Sequence, residues 1–131
     1  MSINVFIDEN KSLMVRKAVG HITVDEIMAT YAKTAGHPHF KSGMDVIWDL
    51  SQAEVGHLST QDLRSLSELI RNQDQQNWRG AQFKVAIAAP KELNFIVSST
   101  FCILGEIEDL PITVRVFRTF RKAVSWILSA K

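Results

Sequence analysis

Along this chain the spacing of apolar residues switches repeatedly between a period of about two, typical of strands, and about 3.6, typical of helices. Ile3, Val5 and Ile7 alternate with Asn4, Phe6 and Asp8, Asp8-Glu9-Asn10-Lys11 supplies turn chemistry, and a second extended run covers Ser12 to Val19. This predicts an N-terminal hairpin. Thr23-Val24-Asp25-Glu26 matches a capping box, so a helix is expected there, with Ile27, Met28, Tyr31 and Ala32 as its apolar stripe and Gly36 and Pro38 as its stop. Val46, Ile47 and Trp48 stand consecutively within Met44 to Leu50, as in a strand covered on both faces. Ser59-Thr60-Gln61-Asp62 is a second capping signature, followed at helical spacing by Leu63, Leu66, Leu69 and Ile70 and then by polar residues from Asn72 to Arg79. Phe83 to Ala89 reads as a buried strand stopped by Pro90, Leu93 to Leu104 as a helix, and Ile112 to Phe117 as a more exposed strand. Thr119 to Leu128 reads as a closing helix that buries Phe120, Ala123, Val124 and Ile127.

The resulting order is ββαβαβαβα. Strands alternating with helices imply right-handed crossovers, hence an α/β fold with a mixed, largely parallel five-stranded sheet and about four helices. No repeat, linker or low-complexity tract divides the chain, and its six glycines and three prolines fall between periodic segments, so residues 1–131 are expected to form one domain.

The helix at 93–104 carries apolar residues over too wide an arc for a simple surface helix. Leu93, Ile96, Val97, Thr100 and Leu104 share one face, the expected core side, whereas Phe95 and Cys102 fall roughly opposite. An apolar patch away from the core points to a ligand cavity, a partner subunit or a bilayer contact. Phe95, Ser99, Cys102 and Ile103 are therefore the candidate ligand or partner surface. Asp49 and Ser51 join them, because ligands on parallel sheets sit at the carboxyl ends of strands and Asp49 is expected to end one. A turn bond between Asp49 and the loop at Ser51 is the structural alternative.

Fifteen Lys and Arg against fourteen Asp and Glu give no strong field for nucleic acid or an anionic bilayer, and no nucleotide loop, stacking platform or recognition-helix pattern is present. Arg115, Arg118, Arg121 and Lys122 form a local basic cluster near the C-terminus, suited to an acidic partner or phosphate headgroups. The single cysteine, Cys102, excludes an intrachain disulfide and has no neighbour to activate its thiol. With no signal-peptide pattern and no long apolar run, a cytoplasmic protein without a transmembrane segment is expected, peripheral membrane contact remaining open.

His37-Pro38-His39 brings two imidazoles together, but His21 and His57 stand apart and no HExxH pairing exists, so no metal is expected. The role expected for His37 is to cap the last carbonyls of its helix. No nucleophile, base and orienting group can be assembled from spacing, so neither an enzyme nor a cofactor is expected. Ser59 and Thr60 read as helix caps that would also tolerate a phosphate.

The segment Asp45 to Ser51 (DVIWDLS) and the ending ITVRVFRTFRKAVSWIL resemble the SpoIIAA-like family, relatives of STAS domains. Val116-Phe117-Arg118 before a helix carrying Ala123 and Trp126 looks like that family's close, and Gly20, Thr23, Glu26, His37 and Phe40 look like its first helix. The resemblance implies a non-enzymatic binding or regulatory module. Its STAS side implies a protein-partner switch phosphorylated near Ser59 and Thr60, although Leu58 stands where the phosphorylated Asp-Ser pair would need Asp. Its likeness to CRAL-TRIO carriers implies an apolar small molecule, a lipid or a membrane surface, and a homodimer is a further expected partner.

Overall fold

The computed structural model describes residues 2–41, 43–77, 83–108, 110 and 112–129. Among them the chain forms β1 (Ile3–Asp8), β2 (Leu13–His21), α1 (Val24–Ala35), β3 (Asp45–Glu54), α2 (Thr60–Asn77), β4 (Phe83–Ala88), α3 (Glu92–Ile107), β5 (Ile112–Phe117) and α4 (Phe120–Ser129). The strands make one sheet in the order β1-β2-β3-β4-β5. β1 runs antiparallel to β2 and every later pairing is parallel, so the expected mixed α/β sheet is present.

Alternation along β3 sorts the core into two layers. Val46, Trp48 and Leu50 point into one cluster with Met14, Ala18, Val85 and Ile87, onto which Ile27 and Tyr31 of α1 and Phe95, Val97, Phe101 and Cys102 of α3 pack. Ile47 points the other way, to Ala86, Ala88 and the buried Ala123 and Ile127 of α4. A middle strand therefore has to be apolar on consecutive positions.

Both capping signatures work as their chemistry predicts. The Thr23 hydroxyl accepts the Glu26 N–H at 3.2 Å while Glu26 Oε1 accepts the Thr23 N–H at 3.1 Å. At α2 the Ser59 hydroxyl accepts the Asp62 N–H at 3.1 Å, and Asp62 Oδ2 takes the Ser59 N–H at 2.9 Å. α2 then continues through the polar residues to Asn77, further than its apolar pattern reaches.

Three expectations are corrected. β3 does not end near Asp49 but runs to Glu54, because a bulge absorbs the turn-like chemistry there. Lys17 pairs with Asp49 and Val19 with Gln52, so β3 has one residue more than β2 between those pairs. Asp49 Oδ1 accepts the Ser51 N–H at 3.0 Å inside this irregularity. Phe120, expected in the core, is exposed at the first turn of α4, and Ala123 and Ile127 carry the burial of that helix.

The third correction concerns the orientation of α3. Its buried residues are Asn94, Ser98 and Gly105, while Leu93 is 67% exposed, Ile96 51%, Ile103 57% and Ile107 74%. Phe95 and Cys102, expected to point away from the core, lie half-buried against it. The helix is turned by roughly a third of a revolution from the face its apolar residues suggest. A polar contact holds this rotation: Asn94 faces inward because its side-chain amide hydrogen-bonds the Val55 N–H and the Ala53 carbonyl at the end of β3.

Candidate functional site

Between the sheet and the layer of α1, α2 and α3 lies a cavity of about 80 Å³. Ala18, Trp48, Leu50, Val85, Ile87 and Ile112 form its sheet wall. The helices supply Ile27 and Tyr31, then Leu63, Leu66 and Ile70, then Val97, Ser98 and Phe101, and the loops add Ile22, Val55 and Leu58. Tyr31, Trp48 and Ser98 alone among these can hydrogen-bond through a side chain; the rest is hydrocarbon. The hollow is partly open to solvent, and hydrocarbon walls of this kind favour apolar guests, since water against them finds few partners.

At one end of this lining the rings of Tyr31 and Trp48 flank a charged group. Arg16 points inward from β2, opposite Trp48 in register, and is 1% exposed. Its guanidinium carbon lies 4.5 Å from the Tyr31 ring centroid and 5.1 Å from that of Trp48, at cation–π range. Nη2 donates to the Thr34 hydroxyl at 3.2 Å, and Nε has no partner among the described residues. Burial pulls the Arg16 pKa down, against the opposing influence of Tyr31. Burial likewise raises the Tyr31 phenol, with the Arg16 charge pulling the other way.

At the edge of the lining His21 and His57 stack, with ring centroids 3.8 Å apart and planes 16° from parallel. His57 Nε2 is 2.8 Å from the carbonyl of Ile22, a lining residue. β2 ends at His21 and the β3–α2 connection carries His57, so the fold joins two histidines that are distant in sequence.

The surface expected from sequence is not one site. Phe95 packs on the core under Arg118, whose guanidinium carbon lies 3.7 Å from the Phe95 ring centroid and whose Nη1 pairs with Glu92 at 2.7 Å. That ion pair draws the Glu92 carboxyl below its ordinary pKa, first through the Arg118 hydrogen bond and then through its charge. The Cys102 thiol donates to the Val114 carbonyl at 3.0 Å, and its pKa is raised by burial and by Glu106, with Arg115 opposing. Neither residue lines the cavity, nor do Ser99 and Ile103; α3 contributes Val97, Ser98 and Phe101 instead. Asp49 shares the α4 face of β3 with Ile47, across the sheet from the cavity, and Ser51 is exposed beside it.

Ser59 and Thr60 are exposed at the start of α2, with Ser59 already engaged as the cap. His37 does not cap α1 with its ring: Nδ1 accepts the His39 N–H at 3.1 Å, while the His37 backbone N–H reaches the Thr34 carbonyl. His39 pairs with Glu9. No three His, Cys, Asp or Glu side chains converge as a metal-binding group among the described residues. No helix among them is long and apolar enough to cross a membrane.

Sequence periodicity missed Arg16 because the strand around it looks ordinary. The available signal was alternation, since Met14 and Ala18 fix an inward register that also assigns Arg16 to the core.

No family model matches the sequence, and no curated protein matches it. Among solved structures it is similar to an uncharacterised protein of the DUF3478 family from Shewanella loihica PV-4, described as having a SpoIIAA-like fold. The two are 18% identical, the match covers 95% of this chain and 91% of that one, and the TM-score is 0.57. With its five-stranded mixed sheet and four helices among the described residues, this chain has the SpoIIAA-like fold.

Proposed function

We propose that the chain is a non-enzymatic cytoplasmic binding module that takes a small apolar molecule into the cavity beneath α1, α2 and α3. The hydrocarbon lining of that cavity carries the reading. Its volume of about 80 Å³ is smaller than the ~150 Å³ apolar cavity that holds a benzene, which favours a short aliphatic group, or an aromatic ring only partly inserted, over a whole acyl chain. A lipid would enter only by its end.

A panel of short alkanols and alkylbenzenes, followed by thermal unfolding and calorimetry, tests this. A ligand that binds only the folded form raises the melting temperature in proportion to its concentration over Kd. Uptake by the wild type and its loss in Val97→Phe, which fills the lining, are expected; no shift with any member of the panel overturns the proposal.

A protein-partner reading is favoured by one separate observation. Leu93, Ile96, Ile103 and Ile107 are exposed at the a/d spacing of a helix-packing seam, with Thr100 completing it. A second copy of α3 meeting the first across a two-fold axis fits such a seam. Control of a partner by phosphorylation at Ser59 is disfavoured by charge, since the Asp62 carboxylate already occupies the start of α2.

A further inference from the structure

Arg16 is the least ordinary side chain in the core. Buried charges in proteins are paired or hydrogen-bonded throughout, because taking an ion out of water is costly. Yet no carboxylate pairs with Arg16 among the described residues. Its guanidinium hydrogen-bonds to neutral groups alone, the Thr34 hydroxyl and the Tyr31 phenol, and its Nε has no partner. Two aromatic faces flank the guanidinium, and both belong to residues that line the cavity. A hydrocarbon chamber and an under-satisfied, permanently charged fork therefore share two walls.

We infer that the guest is an anion, a short apolar carboxylic acid whose hydrocarbon part fills the cavity while its carboxylate pairs with Arg16. This rests on the cavity reading above. A carboxylate is small and planar, and it matches the guanidinium edge with two parallel N–H···O bonds, one of them from the free Nε. It reaches that edge by displacing the Tyr31 ring, which is only half-buried. The same acid could be a free metabolite or the end of a longer amphiphile, which chain-length dependence separates.

The test compares hexanoate, methyl hexanoate and hexanol on the full chain by calorimetry and thermal unfolding. Hexanoate is expected to bind about ten- to a hundredfold more tightly than its methyl ester, the scale of a charge-assisted hydrogen bond. In Arg16→Met, a replacement of similar bulk, the preference should vanish. If that variant does not fold, the wild-type ratio alone decides. Equal or tighter binding of the ester overturns the inference and leaves the apolar cavity standing. Binding of none of the three overturns both.

Discussion

Asn94 of α3 grips Val55 at the end of β3: its Oδ1 accepts the Val55 N–H at 2.9 Å while its Nδ2 donates to the Ala53 carbonyl at 2.8 Å. The amide acts as a short extra strand, satisfying an N–H and a C=O that β4 leaves unpaired, since the β3–β4 ladder ends at Asp49 and Ala88. Asn94→Ala strands the buried Val55 N–H, while the Ala53 carbonyl keeps the Lys91 ammonium at 3.3 Å, and is expected to cost about 1 to 3 kcal/mol. Urea unfolding measures it, and a loss well under about 1 kcal/mol would show that water replaces the amide.

That clamp also explains where sequence reading stopped. Elements set by capping chemistry or alternation were legible: Thr23 with Glu26, Ser59 with Asp62, and the limits of β5 at Ile112 and Phe117. α3 was legible as a helix but not in its rotation. Its inward positions are occupied by Asn94, Ser98 and Gly105, of which Asn94 is held there by its bonds to β3, so its apolar stripe marks the outside. The cavity and its lining depend on which residues of three helices converge, and no local period encodes that. The Asp49–Ser51 bond was legible as turn chemistry, yet in the fold it serves a bulge rather than a strand end.

The exposed stripe of α3 predicts a separation between folding and association. Ile103→Lys with Ile107→Lys removes apolar surface that the monomer does not bury. Stability should change by no more than about 0.5 kcal/mol, the range for surface positions. Sedimentation of the wild type should show a concentration-dependent dimer that the double variant lacks. A wild type that stays monomeric at high concentration rules out the α3 seam.

Cys102 should be a slow thiol. The thiolate is the reacting form, and burial together with Glu106 holds the proton on. The donor bond to Val114 adds to that. Alkylation by iodoacetamide at mildly alkaline pH is expected to lag behind that of a free cysteine and to reach the free rate once urea unfolds the chain. Equal rates in the native and unfolded states would contradict the inward placement.

The phenol of Tyr31 makes the arrangement around Arg16 visible, because it is the chain's only tyrosine. Burial raises its pKa above the ordinary value of about 10, and the Arg16 charge restrains the rise. Above that ordinary value the unfolded chain releases the phenol proton first, so the folded form holds more protons and its stability must fall as pH increases. The contribution is complete below the unfolded pKa and is lost as pH climbs through the raised folded one. Tyrosinate absorbance in the native protein should therefore appear later than in urea-unfolded chain, and later still in Arg16→Met, where the restraining charge is gone. Titration at or below the free-phenol value would mean that water, rather than Trp48 and the guanidinium, surrounds the Tyr31 ring.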